Sequence, residues 1–296
     1  MKLRPWSLMA LLIMVGIMVG GCGYAYYTQT NYFYPDWTPD GKIICIKEVI
    51  RLKESLGGPY PGHTYTSTMS KQYYIVIMDI DGNNEQNIKE IQGVNEVHMS
   101  PGGHFIAYAE ENTIKMIDSN GQNKSSINIV GDLGSFDWSP NEEYLVYDVY
   151  LNSTREGFIV RRDGPQVANI HDYMYGVRWR CGDNVIYSGL DSTKSYSFNS
   201  SILTAYPRIG GGDFNVNPSN TNEVIYRGTT SNGIGIFSLN NTSSEAVELI
   251  ARNDIWHIHL SPDGNKIIGS GIRTQELSGS EIWLINIDGS GLNRLR

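Results

Sequence analysis

Beyond residue 30 the chain reads as short apolar runs, many alternating with polar residues and several closed by Pro-Asp-Gly, Asp-Gly or Asn-Gly. That is the pattern of strands joined by tight reversals. One unit recurs: HLSPDGNKIIGS at 259–270, DWTPDGKIICIK at 36–47, HMSPGGHFIAYA at 98–109 and DWSPNEEYLVYD at 137–148. Weaker copies are RWRCGDNVIYSG at 178–189 and NVNPSNTNEVIYRG at 215–228. Their turns begin at Thr38, Ser100, Ser139, Arg180, Asn217 and Ser261, giving spacings of 62, 39, 41, 37 and 44 residues.

Each copy shares one internal order. A short apolar strand enters Ser/Thr-Pro-Asp-Gly, where Pro presets φ and Gly or Asn accepts positive φ, and the chain returns as a second strand. A third strand follows at 73–82, 113–121, 157–164, 233–241 and 281–289, and a fourth at 123–130, 166–170, 246–251 and 292–296. Four antiparallel strands per period of about 40 residues predict a propeller blade. The expected fold is therefore all-β, a six-bladed β-propeller of four-stranded antiparallel blades. Trp37, Trp138 and Trp179 stand one residue before their turns, with Met99, Val216 and Leu260 at the same place in the other copies. A large apolar residue there is expected to wedge between blades.

These repeats resemble the WD-repeat-like propeller family found in TolB and in many bacterial surface proteins. WTPDGK at 37–42, SPDGNKI at 261–267 and EIWLINIDGSGLNRL at 281–295 carry the likeness, which covers roughly residues 30–296. It implies the fold and no single function. The small N-terminal domain of TolB is not recognisable, so that protein's partner is not carried over.

The start of the chain adds a location. Lys2 and Arg4 precede an uncharged run over 6–19, then Val19, Gly20, Gly21 and Cys22. A basic start, an apolar stretch and small residues at a cut site describe an export signal, and the Cys placed after them resembles a bacterial lipobox. Cys22 is the expected acylation site. The expected organisation is a lipoprotein signal over 1–21, a tether over 22–30 and the propeller over 31–296, held outside the cytoplasm by the lipid on Cys22. The full chain carries a formal charge of -8, and loss of the signal leaves 21 basic against 31 acidic residues. That balance disfavours a nucleic-acid partner.

The search for chemistry gives less. No Gly-x-Ser-x-Gly, His-Glu-x-x-His or Cys-x-x-Cys occurs, so no enzyme, cofactor or metal ligand set is read. Cys45 and Cys181 fall in opposed blades, too far apart for a disulfide. The stretch 79–85, DIDGNNE, faintly resembles a calcium loop but lacks the distal bidentate Glu. A more informative column lies two residues before each turn: Asp36, His98, Asp137, Arg178, Asn215 and His259. All six are polar, their neighbours are mostly apolar, and the alternation turns them toward the central channel. Such a ring either binds ordered water and adjacent blades, or contacts a ligand in the funnel.

Loop lengths point to a second candidate. The segment 51–72 between strands two and three of blade one is far longer than a hairpin needs. Its Tyr60, His63 and Tyr65 pair aromatic area with polar tips, useful at an interface. The sequence thus favours a membrane-tethered interaction scaffold for another envelope protein or a glycan. A carbohydrate or small-molecule binder using the funnel is the alternative, and a lyase or hydrolase a more distant one.

Overall fold

The computed structural model describes residues 24–56, 64–93, 96–170, 172, 174–182, 184–189, 192–198, 202–206, 213–230, 233–240, 245–272 and 280–295. Cys22, Tyr60 and His63 lie outside them. Among the described residues every regular element is a strand, and the strands form six antiparallel sheets of four, each ordered one to four in sequence. No described helix is long and apolar enough to cross a membrane. The fold is the six-bladed propeller that the repeats predict. Its innermost strands are Tyr24–Trp37, Val97–Met99, Asp132–Trp138, Tyr175–Cys181, Phe214–Val216 and Ile255–Leu260.

By contacts the chain divides into two compact units, residues 31–48 with 72–296 and residues 1–30 with 49–71. The larger unit holds the blades. The smaller one, where described, consists of three strand segments at 24–30, 49–56 and 64–71.

Four of the six first turns carry a side chain that stops them fraying. The hydroxyls of Thr38, Ser100, Ser139 and Ser261 accept from the backbone N–H of Lys42, Phe105, Tyr144 and Lys266 at 2.8–3.0 Å. Glycine is needed at Gly264 twice over, for its φ of +71° and because a Cβ would come within 2.3 Å of Asn217 Oδ1 in the neighbouring blade.

The core lies between blades rather than within them. A blade's second and third strands supply Ile, Val and Leu to both faces, and each face meets its neighbour in a separate cluster. Ile44, Ile46 and Ile75 pack on Ile106 and Tyr108 between blades one and two. Phe136, Trp138 and Leu145 pack on Ala107 and Met116 between two and three. The ring closes in the same way, with Trp37, Ile43, Cys45 and Val76 against Ile268 and Ile282. Cys45 is fully buried there, as a small hydrophobe would be.

The Trp column adds hydrogen bonds to this packing. Trp37, Trp138 and Trp179 are buried. Trp37 Nε1 donates to the carbonyl of His259 at 3.1 Å, joining blade one to blade six, and Trp138 Nε1 donates to the carbonyl of His98 at 3.3 Å. Trp179 Nε1 instead serves its own turn, donating to Gly182 O. Trp37→Phe keeps most of the ring's bulk and removes the donor that closes the propeller. It is expected to cost about 1–2 kcal/mol in urea unfolding; a loss below roughly 0.3 kcal/mol would show that the bond contributes nothing to closure.

Blade one corrects the sequence reading in one respect. Residues 51–72 are expected as a loop, but strands two and three run over Ile43–Leu56 and Thr64–Met78. The alternation continues through the segment, with Ile50 and Leu52 buried and Arg51 exposed. Thr64, Thr66 and Thr68 supply β-branched residues on the return.

Candidate functional site

The first strand of a blade is an open edge facing the channel, and its backbone N–H groups need acceptors. Side chains of the same strand and of the preceding blade supply them. Asp137 Oδ1 accepts from Trp138 N at 2.8 Å, and its Oδ2 accepts from Trp179 N in the next blade at 2.9 Å. Ser135 Oγ accepts from Val177 N, Glu96 Oε2 from Phe136 N, and Asp213 from the N–H groups of His257 and Ile258. The polar lining of the channel is therefore also the stitching between blades.

Within that lining, the structure brings Asp36, His98, Asn215 and His259 together. Asp36 Oδ2 lies 2.8 Å from His98 Nδ1, and Asp36 Oδ1 lies 3.4 Å from His259 Nδ1. Asn215 Nδ2 is 3.4 Å from the same His259 nitrogen, and the two imidazole centroids are 5.0 Å apart. With Asp137 these residues line a cavity of 540 Å³ on the side of the Pro-Asp-Gly turns, rimmed by Pro39, Pro101, Pro140, Pro218 and Pro262. Arg178, the remaining member of the column, lines a 450 Å³ cavity at the opposite mouth.

Glu96 connects the two ends. Its Oε1 lies 3.0 Å from His98 Nε2, a close ionic contact, and 3.2 Å from an Arg178 guanidinium nitrogen. Arg178 also donates to Val177 O at 2.9 Å and has Glu96, Asp137, Asp213 and Asp36 as its charged neighbours.

This crowding sets the protonation states. Burial works against a charged His98, but Glu96 and Asp36 on its two nitrogens override it and push its pKa up to about 10. Burial likewise opposes an ionised Glu96, and His98 and Arg178 bring it down to about 2. His259 follows burial instead, which takes it to about 3 despite Asp36 beside it. One buried imidazole is thus a cation and its neighbour is neutral. Asp137 and Asp213 are both pushed up by burial against their cationic neighbours.

A second column, two residues further from the turn than the first, was not singled out from sequence: Tyr34, Glu96, Ser135, Gly176, Asp213 and His257 line the second cavity. Tyr34 and His257 hold positive φ values of 49° and 52°, and their rings lie 4.3 Å apart. Backbone strain in non-glycine residues persists only where the surroundings enforce it. The signal available in the sequence was the constant offset of three residues before the Trp position.

The remaining candidates fall elsewhere. Tyr65 is 47% exposed in the smaller unit. In the 79–85 turn, Asp81 Oδ1 accepts from Asn83 N, Asp79 Oδ2 from Asn84 Nδ2, and Glu85 pairs with Lys47 and accepts from the Tyr32 hydroxyl. Those oxygens are spent on the turn and its neighbours.

No family model matches the chain, and no curated protein matches it. Solved structures do. A TolB from Acinetobacter baumannii aligns at 12% identity over 97% of this chain and 81% of that one, with a TM-score of 0.59. A protein described as a TolB from Agrobacterium tumefaciens aligns at 14% identity over 72% and 84%, with a TM-score of 0.57. An oligogalacturonate lyase in complex with manganese aligns at 12% over 90% and 78%, with a TM-score of 0.54. At these identities the likeness establishes the propeller fold, which hosts interaction modules and enzymes alike.

Proposed function

We propose that the chain is a lipid-anchored, extracytoplasmic propeller that recognises a protein partner through the smaller unit. One observation carries this reading: Tyr24, Tyr26, Tyr27, Tyr65 and Met69 in that unit are 53, 62, 37, 47 and 58% exposed. Tyrosines give large contact area and a hydrogen-bonding tip at low entropic cost, the chemistry of interface anchors. They stand on paired strands, with Ser55 Oγ donating to Tyr65 O, Ser67 Oγ to Lys53 O, and Lys53 Nζ 3.6 Å over the Tyr24 ring. Arg51, Lys53 and Lys71 against Glu54 make the described strands of the unit net positive in an acidic chain, which suits an acidic partner. Acylation of Cys22, two residues before Tyr24, would hold this surface at the membrane.

The test is a photo-crosslinking amino acid placed at Tyr26, at Tyr65 and, as control, at Val247, which is 59% exposed in blade five. The expected result is one shared adduct from positions 26 and 65 and none from 247; absence of any adduct, or the same adducts from all three, overturns the reading. Cys22→Ala is expected to move the protein out of the membrane-anchored, acylated form, checked by intact mass. An unchanged acylated mass in that variant overturns the anchor without touching the recognition surface.

A further inference from the structure

The turn-side mouth gathers donor atoms that no linear motif announces. Asp36, His98 and His259 each offer one ligand atom, and the three atoms lie within 4.8 Å of one another. Bonds of about 2.0–2.2 Å to a tetrahedral ion set donors roughly 3.3 Å apart. Asp36 to His98 at 2.8 Å and Asp36 to His259 at 3.4 Å already approach that spacing. We propose that Asp36, His98 and His259 form a binding site for a zinc-class divalent cation, with the Asn215 side-chain amide as an additional donor. A half-turn of the Asn215 amide presents its oxygen where Nδ2 now stands, 3.4 Å from His259 Nδ1.

Three features distinguish this cluster from a chance meeting of polar groups. A metal-ligating histidine characteristically turns its other nitrogen to a carboxylate that fixes the ring. His98 has Glu96 Oε1 3.0 Å from Nε2, and Glu96 is itself pinned by Arg178 and by Phe136 N. Next, the donors open into the 540 Å³ cavity, which leaves room for water or a ligand atom on an ion. Finally, four carboxylates, those of Asp36, Glu96, Asp137 and Asp213, surround Arg178, so a further positive charge is favourable at the axis. Two imidazoles with one carboxylate suit zinc and its first-row neighbours, whereas magnesium and calcium prefer oxygen throughout. On binding, the proton that His98 Nδ1 shares with Asp36 leaves to solvent and the ion takes its place, so uptake is coupled to proton release. The site belongs to the larger unit and goes beyond the recognition surface proposed above.

Tag-free full chain, stripped with EDTA, is titrated calorimetrically with Zn²⁺. The expected result is saturable binding of one ion per chain, no matching signal with Mg²⁺, and at least 100-fold weaker binding in Asp36→Asn and His259→Gln. His104→Gln, which changes an exposed histidine paired with Glu142, is expected to bind as the parent does. Each variant is checked for a cooperative thermal transition. If a variant fails to fold, the zinc-edge X-ray absorption spectrum of the loaded parent decides: two imidazoles with oxygen support the site, and a sulfur ligand or no imidazole overturns it. No saturable binding in the parent, or parent-like affinity in folded Asp36→Asn and His259→Gln, overturns it as well.

Discussion

Arg178→Met is expected to destabilise the propeller by about 3–5 kcal/mol, the cost of removing one partner from a buried ionic network. The side chain is 6% exposed, so water cannot replace what it supplies. Without it, Asp36, Glu96, Asp137 and Asp213 face one another with His98 as the remaining buried cation of the cluster, and Val177 O loses a donor at 2.9 Å. Methionine fills much of the volume, so the loss reports charge and hydrogen bonding more than a cavity. Arg178→Lys is expected to recover only part of it, because one ammonium cannot reach both Glu96 and the Val177 carbonyl in the fork geometry of a guanidinium. Urea unfolding of the chelator-treated protein reads the difference. A loss under about 1 kcal/mol for the methionine variant would mean that the carboxylates are screened by water and that the axis is wetter than its burial indicates.

The repeats made the architecture legible because each blade restates the same local instruction. A tight turn, an apolar residue before it and alternating strands after it are consistent with one another at every copy, which is what specifies one fold. Trp37 and Trp138 even predict how blades meet, since an indole large enough to wedge between sheets also reaches the next carbonyl. The channel column was legible for the same reason of fixed offset. What it does was not, because the contacts that matter join residues such as Asp36 and His259, 223 positions apart in sequence order. No spacing rule reveals a donor set distributed over four blades. Glu96 escaped notice because it stands outside the regular strand of its blade and two places off the column. The strand ends of blade one were hidden for a different cause: Gly57, Gly58, Pro59 and Pro61 stand in the middle of the segment, and so dense a run of turn formers masks in the sequence the alternation at 50–52 and the β-branched residues at 64–68.

In the metal-free protein, stability is expected to peak near pH 6.5 and to fall on both sides, through different residues. His98 titrates near 10 in the fold against about 6.5 unfolded. Its contribution is therefore complete below pH 6.5 and lost as pH rises through 10, since the folded state holds a proton that the unfolded state has released. His259 runs the other way. Its folded pKa of about 3 means that below pH 6.5 the unfolded chain takes up a proton the fold refuses, so stability drains as pH falls toward 3. Glu96, at about 2 in the fold, adds its own loss below roughly pH 4.5. With about 1.4 kcal/mol for each unit of difference, each limb amounts to several kcal/mol. Thermal unfolding from pH 4 to 10 in the presence of EDTA gives the profile, and the variants assign it. His98→Gln is expected to flatten the alkaline limb and leave the acid limb sloping, while His259→Gln should flatten the slope between pH 6.5 and 4.5. An alkaline limb as steep in His98→Gln as in the parent would mean that His98 is not the buried cation, and the charge balance drawn here for the axis would fail with it.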